Sequence, residues 1–357
     1  MVKHMPKEKR TKLIRSWSIV ILMGTILFGI IYINKKLVHV IVKNIFAGSI
    51  SLEDSENWMG GKSYEDLKYA ETSKSQYMNL YVPDGLDPMP LIILVHGGGF
   101  VYNDCESRQA QFMYRYFRDQ GYACASINYR LSGEAGFPAA IEDVKAAVRF
   151  LRANAGQYGY DPEKFVIWGE SAGGYLATMA AVTDEEFSDL PFIGEDKLSS
   201  KVSGEVSALV NFYGVIDFDY MEEDFKNAGI PSWVRVIANY PLNRNLKGYQ
   251  SIEDYWLRKS IDGMTKEELQ LISPRYYLEK NYNCGLKVLI QHGDVDITVP
   301  YLQSERLADT FTEVLGQEKV TYQLIPGYKH GDDKYYSDKE LGRVKAYLDE
   351  VFANKEE

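Results

Sequence analysis

Residues 166–178 read VIWGESAGGYLAT, and this stretch decides the fold that the sequence predicts. The apolar run at its start predicts a buried strand, and the small apolar residues at its end predict a helix. Ser171 lies at the turn between them, in a G-x-S-x-G pattern whose Gly169 and Gly173 leave room for a sharp, strained backbone. The pentapeptide alone arises often by chance. Between a strand and a helix, it predicts an exposed, nucleophilic Ser171 hydroxyl, with the amide of Ala172 facing any negative charge that develops.

Strands and helices alternate on both sides of this turn. The run PLIILVHGGGF, residues 90–100, is a continuous apolar strand of the kind buried on both faces of a parallel sheet. The alternation predicts an α/β fold over residues 66–357, with a mostly parallel central sheet and helices on both faces. Residues 34–65 read as a linker. The aromatic-rich segment of about 217–270 is too long for an ordinary connection, so we expect a cap-like insertion there.

A serine nucleophile needs a base, and after the basic N-terminal stretch the chain has only His96, His292 and His330. His96 and His292 end predicted strands, which favours structural roles. His330 lies in the glycine-bearing loop PGYKHGDD after the last predicted strand, where the chain can bend over the edge of the sheet. The sequence therefore favours His330 as the general base.

The base in turn needs an acid, and residues 292–300, HGDVDITVP, offer Asp294 and Asp296. Both follow the carboxyl end of a predicted strand, which is where sites in open α/β sheets gather. The residues themselves leave the choice between the two open.

An oxyanion formed during attack on a carbonyl needs hydrogen-bond donors. Residues 96–100, HGGGF, place three glycines directly after a strand, where backbone amides can approach a substrate closely. Beside the predicted serine turn, this loop is the expected second half of an oxyanion hole.

The N-terminus carries a separate signal. The first 43 residues hold nine Lys or Arg and one acidic residue, and residues 17–33 form an uncharged apolar run at the short limit for a membrane-spanning helix. The positive-inside rule predicts a cytoplasmic tail over residues 1–16, an anchor over 17–33 and an extracytoplasmic domain. A cleaved signal peptide, giving a secreted protein, is the alternative.

Composition excludes several classes. The whole chain has 40 Lys and Arg against 50 Asp and Glu, so the part after the basic N-terminus is strongly acidic and no nucleic-acid partner is expected. Three cysteines at wide spacing predict neither a disulfide framework nor a metal site. The chain has no dinucleotide or phosphate-loop fingerprint, and we expect no metal and no cofactor.

Residues from about 66 to 355 resemble the α/β-hydrolase superfamily, in particular esterases and lipases with an H-G-G-G oxyanion loop. The likeness extends to proteins described as carboxylesterases, acetylesterases or feruloyl-esterase-like. The segments that carry it, in chain order, are HGGGF, INYRLS, FPAAIEDVKAAVRFL, GESAGG, HGDVDITVP and GYKHG.

The resemblance implies roles for individual residues. It implies Ser171 as nucleophile, Asp296 rather than Asp294 as the acid, and His330 as the base. The implied oxyanion donors are the amides of Gly98, Gly99 and Ala172. It also implies that aromatic residues of the cap line or cover the substrate pocket. We further read Arg130 and Asp143 as structural residues that form ion pairs or hydrogen bonds in the scaffold, rather than as catalytic residues.

The sequence therefore predicts a serine carboxylic ester hydrolase that works through an acyl-enzyme on short-chain or acetyl esters. The substrate is a small-molecule, carbohydrate or lipid ester, and the membrane is a partner through the N-terminal helix. Two alternatives stay open. One is a serine peptidase or amidase on the same fold, and the other is a catalytically silent, membrane-anchored binding protein. Oligomeric state is not predicted.

Overall fold

The structure is a computed structural model, and it describes residues 60–353 with gaps at 86–87, 184, 196–201, 235–245 and 281–284. The predicted basic tail, the predicted membrane anchor at 17–33 and most of the predicted linker lie outside the described residues. Within the described ranges, no helix combines the length and apolar character that a membrane crossing requires.

An eight-stranded sheet organises the described residues, in the order β1-β2-β4-β3-β5-β6-β7-β8. Its strands are β1 (Gly61–Lys68), β2 (Tyr77–Pro83), β3 (Met89–Val95), β4 (Ala123–Ile127), β5 (Tyr160–Glu170), β6 (Ala208–Phe212), β7 (Lys287–Gly293) and β8 (Val320–Ile325). β2 pairs antiparallel with β1 and β4, and all other neighbours pair parallel. The predicted mostly parallel sheet is confirmed.

The predicted boundary between linker and domain, at residues 65 and 66, is wrong, because β1 already begins at Gly61. β1 is an edge strand with a single neighbour, and most of its side chains are partly or fully exposed. An edge strand of this kind lacks the apolar alternation by which buried strands are recognised in a sequence.

Helices cover both faces of the sheet, as predicted. They are α1 (Arg108–Phe117), α2 (Ala139–Ala153), α3 (Ala155–Tyr158), α4 (Ala172–Val182), α5 (Met221–Asn227), α6 (Ile252–Leu257), α7 (Lys266–Leu271), α8 (Pro274–Lys280), α9 (Leu302–Leu315) and α10 (Asp338–Ala353). Short 3₁₀ turns lie at Arg118–Gln120, Phe218–Tyr220, Ile261–Gly263, Gln317–Lys319 and Asp333–Tyr336. Residues of α2, α4 and α9 join the core on one face, and residues of α1 and α10 join the core on the other.

Strand β3 shows why the sheet is rigid where the site is built. Its side chains alternate between the two cores: Leu91, Ile93 and Val95 face one, and Ile92 and Leu94 face the other. All five are at most 2% exposed. Burying each such side chain contributes about 1.5–3 kcal/mol. The glycine loop therefore begins at the end of a firmly packed strand.

The insertion lies between β6 and β7, and it is longer than the predicted range of 217–270. It contains α5 to α8, and α8 ends at Lys280. Helix α7 is short and polar: it has no buried residue, and a capping box of Thr265 and Glu268 starts it. Apolar periodicity cannot reveal such a helix, which explains the missed boundary.

Aromatic residues of the insertion pack into the core instead of standing free over the sheet. Trp256 stacks on Phe100 of the glycine loop, with ring centroids 4.3 Å apart, and it also contacts Tyr175 and Phe218. Trp256 and Phe100 are 1% and 3% exposed. The insertion thus supports the loop that follows β3.

The structural role predicted for Arg130 and Asp143 agrees with their contacts with each other. An Arg130 Nη2 lies 2.8 Å from Asp143 Oδ1, and the Arg130 amide donates to Asp143 Oδ2 at 2.8 Å. Because Asp143 lies in α2, the pair ties the segment after β4 to that helix.

Candidate active site

Ser171 lies between β5 and α4 in a backbone conformation that few residues adopt, with φ 51° and ψ −122°. The turn is tight because its neighbours are glycines. A Cβ at Gly169 would overlap the Gly173 carbonyl, and a Cβ at Gly173 would overlap the Val95 carbonyl. The Ser171 amide donates to the Phe212 carbonyl at 2.9 Å, which fixes the turn against β6. A strained position held in this way is typical of a functional residue.

His330 reaches Ser171 from the loop after β8. Its Nε2 lies 2.8 Å from Ser171 Oγ, and its Nδ1 lies 2.7 Å from Asp296 Oδ2. Gly293 lets this loop approach β7, because a Cβ there would overlap the Tyr328 carbonyl. The structure thus brings together the predicted nucleophile, base and acid, although Ser171 lies more than a hundred residues before the other two in the sequence.

Asp296 is buried at 2% exposure and is held by four contacts. Its Oδ1 accepts from the amides of Thr298 and Val299 at 2.8 and 2.9 Å, and its Oδ2 faces both His330 and, at 3.2 Å, His292 Nε2. Burial alone raises the pKa of a carboxyl group, but the charge that His330 can carry and the hydrogen bonds from both histidines lower the pKa of Asp296 well below its ordinary range. The carboxylate therefore stays ionised.

Asp294, the other candidate that the residues left open, has a different position. Its Oδ1 accepts from the Gly327 amide at 2.6 Å, so it holds the start of the loop that carries His330. Its side chain is exposed, whereas that of Asp296 turns inward.

The glycine loop after β3 bends through two residues with positive φ, Gly98 at 119° and Gly99 at 58°. A Cβ at Gly98 would overlap the Tyr102 carbonyl, so this position requires glycine. Within the described part of the chain, the amides of Gly98, Gly99 and Ala172 donate to no carbonyl or side chain. Three unused donors on the loop and at the first residue of α4 are what an oxyanion hole requires.

His96 lies at the start of the same loop and is held in place by Tyr129. Its ring stacks on Tyr129 with centroids 4.3 Å apart, and Tyr129 Oη donates to the His96 carbonyl at 2.8 Å. Burial lowers the pKa of His96, which favours a neutral ring. The structural role predicted for this histidine agrees with these contacts.

Glu170, the residue before Ser171, was not predicted as part of the site. It is buried, and its Oε2 accepts from Tyr213 Oη at 2.7 Å and from Tyr336 Oη. The Tyr213 ring also packs edge-on against the His330 ring, with centroids 4.9 Å apart. Burial raises the pKa of Glu170, and the two tyrosine hydrogen bonds oppose that effect only in part. Sequence offered one signal for this cluster, an acidic residue next to the serine, but no sign of the distant tyrosines.

No metal centre is indicated among residues 60–353 as described: no group of three or more His, Cys, Asp or Glu side chains lies close enough to hold an ion. The side chains and amides of the site supply a hydroxyl, a base within hydrogen-bond distance, an ionised partner for that base, and donors for a developing oxyanion.

Comparison with known proteins gives a consistent result. The BD-FAE family model matches residues 78–311. The chain is 25% identical over 296 residues to the probable carboxylic ester hydrolase LipM of Mycobacterium tuberculosis (strain ATCC 25618 / H37Rv), covering 81% of this chain and 62% of that one. It is 33% identical over 281 residues to Lipase 2 of Moraxella sp. (strain TA144), covering 73% of this chain and 59% of that one.

Among solved structures, a truncated form of a carbohydrate esterase from gut microbiota matches with a TM-score of 0.63 and 26% identity, covering 81% of this chain and 96% of that chain. The curated relatives are longer, since this chain spans about three-fifths of their length.

Proposed function

Because the chain belongs to the BD-FAE family of α/β-hydrolase esterases and lipases, we propose that it is a carboxylic ester hydrolase with Ser171 as nucleophile. The observation that carries the proposal is the hydrogen-bonded series from Ser171 Oγ through His330 to Asp296, at 2.8 and 2.7 Å. The names of its relatives, which include a carboxylic ester hydrolase and a lipase, support the same reaction class.

The proposed reaction begins with attack of Ser171 Oγ on the ester carbonyl carbon, while His330 Nε2 takes the hydroxyl proton. The carbonyl oxygen becomes an oxyanion and accepts hydrogen bonds from the amides of Gly98, Gly99 and Ala172. His330 then gives its proton to the leaving alcohol, and the acyl group remains on Ser171. Water repeats these steps, and the acid is released. Asp296 holds the Nδ1–H tautomer of His330 and stabilises the imidazolium throughout.

We propose short acyl groups, acetyl above all, as the substrate class. The support is the close packing beside the glycine loop, where Trp256 stacks on Phe100 and both rings are buried, so that no acyl chain can pass between them. The similarity to a carbohydrate esterase adds acetylated carbohydrate as a specific substrate to test.

The experiment is a hydrolysis profile of p-nitrophenyl esters from acetyl to palmitoyl, with acetylated xylan and an aminoacyl anilide alongside. We expect the highest kcat/KM on acetyl or propionyl esters, release of acetate from xylan, and no turnover by Ser171→Ala. Unchanged ester turnover by folded Ser171→Ala would contradict the proposed nucleophile. Preference for the anilide would indicate the peptidase or amidase alternative, and no turnover of any substrate would indicate the silent binding protein.

We also propose that residues 17–33 anchor the chain in a membrane with the N-terminus cytoplasmic and the hydrolase domain on the other side. The support is the uncharged apolar run and the basic residues before it. The test is membrane fractionation with intact mass measurement: an anchor keeps the full chain in the membrane fraction, whereas a cleaved signal releases a shorter chain.

A further inference from the structure

His292 ends strand β7 and is fully buried beneath the acid loop, which comprises residues 294–300 between β7 and α9. Its Nε2 lies 3.2 Å from Asp296 Oδ2 and 3.0 Å from the Val299 carbonyl oxygen, and its Nδ1 lies 2.7 Å from Ser304 Oγ. The ring thus lies between the proposed acid and α9. His292 has no role in the reaction proposed for Ser171, His330 and Asp296.

The surroundings of the ring fix where its proton lies. Both atoms that face Nε2, a carboxylate oxygen and a carbonyl oxygen, can only accept hydrogen bonds. Nε2 must therefore carry a hydrogen, because an unprotonated Nε2 would leave three buried acceptors facing one another. Nδ1 is then free to accept from the Ser304 hydroxyl. The single Nε2 hydrogen is therefore shared between the Val299 carbonyl oxygen, at 3.0 Å, and Asp296 Oδ2, at 3.2 Å, which is the oxygen that also accepts from His330.

From this geometry we infer that His292 is a positioning residue, which fixes the plane of the Asp296 carboxylate so that Oδ2 faces His330. The backbone amides of Thr298 and Val299 hold only Oδ1, and a carboxylate held at one oxygen can still swing about that contact. A second donor on Oδ2, in addition to His330, restricts this motion. The inference rests on the proposed function, because it assigns His292 to the same reaction.

The shared oxygen also predicts an effect on pH dependence. The groups that face His292 are Asp296 and the Val299 carbonyl on the acid loop, Ser304 on α9, and the Tyr213 ring after β6, whose centroid lies 6.5 Å away. Among these groups only Asp296 is charged, and its Oδ2 faces both His292 and His330. Removing the His292 donor leaves more of the carboxylate charge to act on His330, which stabilises the imidazolium, so that at a given pH a larger fraction of His330 is protonated and unable to act as a base. The acid limb of the kcat/KM profile should then move to higher pH.

The variants for the test are His292→Gln and His292→Asn. Both keep a polar amide, but only the longer Gln side chain reaches the position of Nε2. We expect His292→Asn to lose about tenfold in kcat/KM, as for loss of one hydrogen bond to a charged group, with its acid limb moved to higher pH. His292→Gln should stay within about threefold of the unchanged chain.

Two results would overturn the inference: an unchanged pH profile and kcat/KM in folded His292→Asn, or an equal loss in both variants at unchanged melting temperature. The second result would assign His292 a packing role only. If either variant fails to fold, nitrogen NMR of the histidine rings in the unchanged protein provides the test. A hydrogen on Nε2 of His292 supports the inference, and a neutral ring protonated only at Nδ1 overturns it.

The same measurements separate this inference from the proposed function. Ester turnover by the unchanged chain and its loss in Ser171→Ala test the function. The comparison of Gln with Asn at position 292, made on a chain with that turnover, tests the positioning role alone. In a chain that does not turn over esters, the function fails, and the positioning role for this reaction fails with it.

Discussion

Two buried carboxylates lie near the same histidine, and their surroundings give them opposite pKa shifts. Asp296 and Glu170 are 2% and 6% exposed. The pKa of Asp296 is lowered despite burial, because two amides and two imidazoles surround it, whereas burial raises the pKa of Glu170, whose strongest partners are two tyrosine hydroxyls. Burial by itself therefore does not determine the charge of a carboxyl group. The hydrogen-bond donors around the group determine it.

The largest expected effect that tests this comparison is on catalysis by Asp296. We expect Asp296→Asn to lower kcat by about three to four orders of magnitude, since a neutral amide neither holds the correct tautomer of His330 nor stabilises the imidazolium. The matched control is Asp294→Asn, which removes a carboxylate from the same loop and should cost less than about tenfold. Measurement of kcat on p-nitrophenyl acetate compares the two. A loss in Asp294→Asn as large as that in Asp296→Asn would show that the acid is misassigned.

A smaller effect is expected at the other carboxylate. Glu170→Gln keeps an acceptor for Tyr213 and Tyr336 but removes the group's ability to ionise and its long contact with the Gly97 amide, so we expect a loss of about tenfold or less in kcat/KM. The control is the unchanged chain assayed over the same pH range. A loss that matches Asp296→Asn would mean that Glu170, rather than Asp296, supplies the charge that His330 needs.

The smallest effect is on stability, and the two carboxylates should show opposite slopes with pH. The raised pKa of Glu170 means that its favourable contribution is present at low pH and is lost as pH rises through the folded-state value. The melting temperature of the unchanged chain relative to Glu170→Gln should therefore fall as the pH rises above the ordinary glutamate range of about 4.

For Asp296 the sign reverses. Its lowered pKa means that its contribution is present above the ordinary carboxyl range of about 4 and is lost as pH falls below it. The destabilisation caused by Asp296→Asn should therefore shrink as the pH is lowered from about 5 to 3. Calorimetry of both variants checks the signs, and parallel slopes would contradict the contrast between the two groups.

The features that the sequence predicted well are those with a local signal. The strand before Ser171 and the helix after it follow from apolar patterning, and the glycines around the serine follow from the steric demands of the turn. His330 could be selected because it lies in a loop, whereas the other two histidines after the N-terminal stretch lie at the ends of predicted strands. The sheet and its covering helices follow from alternation along the chain.

The features that were missed depend on contacts and side-chain orientations that only the folded chain shows. Nothing near Glu170 in the sequence indicates Tyr336, which reaches it across 166 positions. His292 looked like the end of a strand, and only the folded acid loop shows that its ring meets Asp296. The residues alone could not choose between Asp294 and Asp296 either, since both follow the same strand and differ only in which side chain turns inward.

The central claim is that Ser171 forms a covalent acyl-enzyme with the help of His330, and labelling with a fluorophosphonate tests it most directly. Mass spectrometry of the labelled, digested chain should show one adduct, on the peptide that contains Ser171. The adduct should be absent from Ser171→Ala and form far more slowly in His330→Ala, because the hydroxyl then lacks its base. An adduct on another residue, or no adduct on a folded chain that hydrolyses p-nitrophenyl acetate, would contradict the account.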